Sequence, residues 1–276
     1  MLPSLDIWGI RIIPYDVMNT IFVQATYIFI LLQAKSYRLY CPHAIKMLMI
    51  DSKGAKKKST YLVLAELFAI ALTFQALMMI FNKMFGLWLT NGNANYYGSL
   101  FAWSVVMSLL PYGFFAPPLR TSDLLTPVLP LGLAISKIGC FFAGCCSSFE
   151  MSSFYYNHQT ERYEFPIQLL EAIIAFVIFL YTLKLRRKLK RPGFLFPIYT
   201  ILYAVCRFIT EFLRADSNKT VYFLNNYQLI SIIAIIIGLF LLIMIDTFGE
   251  KIEEYSNRRF NHVITQSTKA AHEKQE

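Results

Sequence analysis

The sequence predicts an all-α polytopic membrane protein with seven transmembrane helices, and three observations lead there. Hydrophobic residues make up 56% of the 276, with 24 Phe among them, and mean hydropathy is +0.47. Seven apolar runs approach the roughly 20 residues that a spanning helix needs. Lys and Arg gather in alternate connections between those runs, the asymmetry that orients helices in a bilayer. The formal net charge of +9 follows from that arrangement and calls for no nucleic-acid partner.

Residues 1–14 read as an interfacial lead-in anchored by Trp8, and the first apolar run is too long and too poor in basic residues ahead of it for a cleavable signal peptide. The expected spans are about 15–34, 60–81, 96–115, 124–144, 165–183, 193–213 and 227–246. The polar stretch at 147–164 reads as a loop or partial helix, and APPLRTSD, with paired prolines and an Asp, as a turn and helix start. Lys35 to Lys58, Arg120, Lys184 to Arg191 and Lys251 to Lys274 fall on one side; Arg11, Lys83, Arg162, Arg214 and Lys219 fall on the other. The N-terminus is therefore expected outside and the C-terminus in the cytoplasm. Residues 1–248 form the expected membrane domain, and 249–276 a polar cytoplasmic tail, helix-compatible at first and disordered at its end.

The sixth run, GFLFPIYTILYAVCRFITEFLRAD, carries the strongest functional signal. At about 100° per residue, Tyr203, Arg207, Glu211 and Arg214 share one helical face. A charge at mid-bilayer costs about 2.5–3.5 kcal/mol, so these groups must pair, face a polar cavity or lie near the interface. An Arg207–Glu211 pair that neutralises itself is one reading. An anion-binding face is the sharper one, because a planar guanidinium matches phosphate bidentately. Three other places bring polar groups to similar depth. Lys137 lies in the fourth run among Gly132, Gly139 and Gly144, where small residues admit a neighbouring helix or a ligand headgroup. Gln168 and Glu171 in FPIQLLEA are three apart and share a face, for capping, a cross-helix hydrogen bond or ligand contact. Tyr15-Asp16 and Tyr96-Tyr97-Gly98-Ser99 head the first and third runs, where tyrosines belong to the aromatic belt.

Five cysteines make no disulfide framework. Cys140, Cys145 and Cys146, spaced five and one, fit no common zinc signature; helix packing, a disulfide and metal or nucleophile chemistry all stay open. No Ser–His–Asp arrangement, phosphate-cradling glycine loop or HExxH motif occurs.

The sequence resembles the prolipoprotein diacylglyceryl transferases, from about Tyr15 to Gly238. PGFLFPIYTILYAVCRFITEFLRAD is similar to that family's G…YGxxRxxxEFxRxPD motif, FPIQLLEA to HPSQLYEA, and NYQLISIIAIIIG to MGQxLSxxxxxxG. PLGLAISKIGCFFAGCC has the outline of PxxLGxxxGRxGNFxNGExxG in a GCFFAGCC variant, and YYGSLF sits where the family has HGGLIG. The resemblance implies a multi-pass protein of the bacterial inner membrane that moves a diacylglyceryl group from phosphatidylglycerol to the lipobox cysteine of preprolipoproteins, with no cofactor or metal. It implies that Arg207 is the essential arginine, Glu211 its partner, Tyr203 the tyrosine one turn earlier, and Tyr97 the residue at the position of the proton-removing histidine. Lys137 falls at the signature arginine, keeping the charge without the fork. Substrate contacts are implied for Lys137, Gly139, Cys140, Gly144, Gln168, Glu171, Arg214 and Tyr15. A non-catalytic lipid- or lipoprotein-binding relative is the alternative, and a transporter is disfavoured by the lack of a broken-helix pair or inverted repeat.

Overall fold

The computed structural model describes residues 96–113, 118–146, 148–157, 160–214, 219–221 and 224–273, with short strands at 5–7 and 10–12 and isolated helical positions between 21 and 87. The runs expected at 15–34 and 60–81, and Tyr15 with them, lie largely outside the described residues. The rest is mostly helical: α1 (Tyr96–Gly113), α2 (Pro118–Leu125), α3 (Val128–Ala143), α4 (Ile167–Arg186), α5 (Leu195–Thr210) with a 3-10 turn at Glu211–Leu213, and α6 (Asn226–Glu273). Among the described residues, four helical stretches are long and apolar enough to cross a membrane: Pro118–Ala143, Ile167–Arg186, Leu195–Leu213 and Asn226–Ser256.

The chain divides into two compact units. The first comprises Met1–Ile28, Thr126–Lys188 and Pro197–Leu241. Its packing is dominated by α3 against α4. Pro130 is tolerated in the first turn of α3, where a missing N–H loses no helical bond. The helix stops at Gly144, whose φ of 69° places it in the left-handed region and whose N–H bonds back to the Phe141 carbonyl. The α4 face made by Gln168, Glu171, Ala172, Ala175, Ile178 and Thr182 is buried, at helical spacing. Its other face, with Ile173, Phe176, Val177 and Leu180, is exposed and apolar, as a lipid-facing surface requires. Helix α6 passes close to α5: a Cβ on Gly238 would stand 2.6 Å from Cγ1 of Ile201.

The second unit comprises Phe29–Leu125, Leu189–Phe196 and Leu242–Glu276. Here the Asp123 carboxylate accepts the backbone N–H groups of Gly193 and Leu195 at 2.6 and 2.9 Å and so caps the start of α5. Arg120 pairs with Glu253 at 3.4 Å, and Arg191 with Asp246 at 2.5 Å.

Three features depart from the expectation. The segment read as a loop or partial helix is a hairpin, β3 (Glu150–Asn157) with β4 (Arg162–Glu164), pairing Tyr155 with Glu164, Tyr156 with Tyr163 and Asn157 with Arg162. The Phe and Tyr of this polar and aromatic stretch favour a pleated surface over a loop. Two smaller ribbons, β1 (Leu5–Ile7) with β2 (Ile10–Ile12) and β5 (Lys219–Val221) with β6 (Leu224–Asn225), also make the chain mostly rather than wholly α. Finally, α6 continues as helix through most of the polar tail, to Glu273, with a 2.5 Å Glu254–Arg258 pair one turn apart along it.

Candidate active site

The site is assembled within the first unit by α3, α4 and the C-terminal end of α5. Glu171 stands at its centre, on the buried face of α4 and 7% exposed. Lys137, one helix away on α3, forms an ion pair with Glu171 Oε2. Arg207, 8% exposed, reaches Glu171 Oε1 at 2.6 Å and Glu211 Oε2 at 2.7 Å, with one guanidinium nitrogen on each carboxylate. Arg214 closes the group at 3.4 Å from Glu171 Oε2 and 4.0 Å from Glu211. Among the described residues three cations thus meet two carboxylates, and the cluster keeps one net positive charge in a buried place. Such a remainder is costly unless an anion joins it.

Each partner is held by its own element. Arg207 sits in the last turn of α5, where the helix dipole favours a cation. The Tyr227 ring lies under its guanidinium, 5.1 Å from centroid to carbon. Glu211 accepts a 3.1 Å hydrogen bond from Asn225 Nδ2. Asn225 and Gln228 cap α6 reciprocally: the Asn225 side chain accepts the Gln228 N–H at 2.8 Å, and the Gln228 side chain accepts the Asn225 N–H at 3.1 Å. Thr210 adds a long 3.5 Å hydrogen bond to Glu171. Arg214 is extended beyond the 3-10 turn and bridges to Ser148 at the foot of the β3–β4 hairpin. Burial opposes its charge, but Glu171, Cys146 and Glu211 beside it prevail and hold its pKa above the usual arginine value.

Beside the charges runs an apolar cleft lined by Leu133, Ile174, Ala175, Ile178 and Cys206, with Lys137, Glu171 and Arg207 at its polar end and Tyr203 along its wall. The combination of cationic head and greasy groove has the polarity of a phospholipid. Gln168, one turn before Glu171, gives its Nε2 to the carbonyls of Cys145 and Cys146 at 2.6 and 2.9 Å. Its Oε1 is buried and finds no hydrogen-bond donor among the described residues, leaving an acceptor on offer to a ligand hydroxyl.

The structure therefore brings Lys137, Glu171, Tyr203, Arg207, Glu211 and Arg214 into one constellation. The Lys137 ammonium turns inward to Glu171 rather than toward an interface. Gly139 is buried on α3, Gly144 ends that helix, and Cys140 joins Cys145 and Cys146 in a cluster of free thiols. Tyr97 belongs to the other unit, buried in the first turn of α1. The central place of Glu171 and the support from Asn225, Gln228 and Thr210 are not read from the sequence above; the Asn-x-x-Gln spacing at 225–228 was the available signal, since it matches a capping box.

The sequence profile described as "Prolipoprotein diacylglyceryl transferase" matches residues 45–244, most of the chain. The chain belongs to the prolipoprotein diacylglyceryl transferase family. A Clostridium tetani phosphatidylglycerol–prolipoprotein diacylglyceryl transferase is 34% identical over 129 residues, covering 44% of this chain and 52% of its own. A second such transferase from Clostridium perfringens is 34% identical over 130 residues, covering 45% and 51%. The Streptococcus uberis transferase is 28% identical over 174 residues, covering 59% and 66%. The chain spans about half the length of the two clostridial relatives it matches. Within this family the constellation falls on the motifs that carry the resemblance: Arg207, Glu211 and Arg214 on the sixth-run motif, Glu171 on FPIQLLEA, and Lys137 on the glycine-rich signature.

Proposed function

We propose that this chain transfers a diacylglyceryl group from phosphatidylglycerol to the lipobox cysteine of preprolipoproteins. The observation that carries the reading is the buried surplus of one cation at the polar end of an apolar cleft. A phosphodiester with two acyl chains supplies the missing anion and fills the groove. Arg207, Arg214 and Lys137 hold the phosphate, and the open Gln168 Oε1 accepts a headgroup hydroxyl. The acceptor thiolate attacks the lipid's glyceryl carbon; the S–C bond forms, the C–O bond to phosphate breaks, and glycerol 1-phosphate departs with the electron pair. Negative charge grows on that phosphate in the transition state, where preplaced cations in a low-dielectric site stabilise it most. A thiol of pKa about 8.5 needs modest help to ionise; Tyr97 and Glu211 are the candidates for it.

The same reading takes the chain as a seven-span inner-membrane protein with its N-terminus outside, residues 1–248 as the membrane domain and 249–276 as a cytoplasmic tail. The gathering of Arg120, Arg191, Asp246 and Glu253 in one unit supports one common face for the basic connections. The test is lipidation of a lipobox peptide in phosphatidylglycerol micelles, read by mass spectrometry for the diacylglyceryl adduct and glycerol phosphate. An adduct lost in Arg207→Ala is the expected result. A second reading, a lipid-binding relative without turnover, is favoured by Tyr97 at the position of the family's proton-removing histidine and by the altered GCFFAGCC signature. Binding of phosphatidylglycerol with no adduct, restored neither by Tyr97→His nor by Lys137→Arg, would establish it.

A further inference from the structure

The transferase reading assigns no step to the three thiols at the end of α3. Their Sγ atoms all lie within 4.8 Å of one another, and none is in a disulfide. Thiolates on one tetrahedral zinc, each at about 2.3 Å, stand about 3.8 Å apart. Small side-chain rotations would bring the three to that spacing. The convergence is built by the backbone. Gly144 turns left-handed at φ 69°, and Cys146 does so too at φ 67°, a conformation that costs a residue with a Cβ about 1 kcal/mol or more. This double reversal folds Cys145 and Cys146 back over the last turn of α3, with the Cys145 thiol 3.6 Å from the Cys140 carbonyl. Gln168 pins both cysteine carbonyls, and Asn157 Nδ2 pins the Gly144 carbonyl at 3.1 Å. A packing contact would explain one small residue at a helix end. It does not explain three sulfurs aimed at one point from a strained turn. A disulfide would use two of them and leave the third over. Arg214 and Lys137 lie beside the cluster and bring positive charge near the sulfurs, which favours thiolates.

We propose that Cys140, Cys145 and Cys146 bind a thiophilic d10 cation, Zn2+ in the first instance, through three thiolates, with a water completing the tetrahedron. Binding releases the thiol protons to water. The proposal stands whether or not the chain transfers lipid. Its test uses the full chain, reduced, chelator-free and in detergent, equilibrated with Zn2+ and then freed of unbound metal. Elemental analysis is expected to find about one zinc per chain. Co2+ in its place should give an intense near-ultraviolet sulfur-to-cobalt band. Zinc should shield these three cysteines, and not Cys206, from alkylation mapped by peptide mass spectrometry. Cys140→Ser and Cys146→Ser should abolish the band, and Cys206→Ser should keep it. Three freely alkylated thiols with no metal retained would overturn the proposal. So would an internal disulfide in protein that takes up no metal after reduction. Stoichiometry, spectrum and shielding are all read on the unsubstituted chain, so a variant that fails to fold leaves the answer decidable.

Discussion

Glu171 is the residue whose removal the site tolerates least. Glu171→Ala would leave Lys137, Arg207 and Arg214 around Glu211 alone, and stripping one partner from a buried ionic group costs about 3–5 kcal/mol. We expect a marked fall in folded yield and thermal midpoint in detergent. Arg207→Ala should lower turnover by about 10²- to 10³-fold, the usual loss when one preplaced transition-state partner is removed. Arg207→Lys keeps the charge but cannot reach Glu171 and Glu211 together, so its rate should fall between those of Arg207→Ala and the parent. Lys137→Arg adds a fork at the position proposed to hold the phosphate, and a lower KM with little change in kcat would be its signature.

At the scale of elements, two supports lie away from the reacting groups. The Asn225–Gln228 box caps α6 and also holds Glu211, so Asn225→Ala should cost about 1 kcal/mol of stability as a lost cap. It should further slow turnover by releasing Glu211, whereas Gln228→Ala, which loses capping alone, should leave more of the rate; thermal melts and single-substrate kinetics separate the two effects. Glu164 binds the β3–β4 hairpin to its surroundings, accepting from Asn157 at 3.2 Å, Thr160 at 2.5 Å and the Ser148 N–H at 3.3 Å. Glu164→Ala should open the hairpin to limited proteolysis before the helices are cut. That hairpin was not legible in the sequence, because β4 is only three residues long and β3 pairs with it across a large register shift. The helices were legible where apolar runs are long, and α3 to α6 stand where those runs fall. The shared face of Tyr203, Arg207, Glu211 and Arg214 could be read from periodicity within one helix. Glu171 could not be ranked above its neighbours, since its partners come from two other helices and no single segment encodes such a meeting. The three cysteines were visible as a group in the sequence, but their convergence was not: it needs a left-handed Cys146, a backbone choice that the residue type argues against.

For the whole molecule, the close pass of α6 over α5 sets a limit on change. Gly238→Val would drive a side chain into Ile201, and overpacking of this kind costs about 1–3 kcal/mol. Heat-induced aggregation in detergent should begin at lower temperature in that variant, with Gly238→Ala between it and the parent. The largest consequence belongs to the ion cluster. Glu171 gathers Lys137, Arg207 and Arg214 before any lipid arrives. On the proposed reading the phosphate therefore enters a site whose charges are already in place, and little rearrangement accompanies its binding. Its grip is then set by the single cation in excess, which the carboxylates leave over.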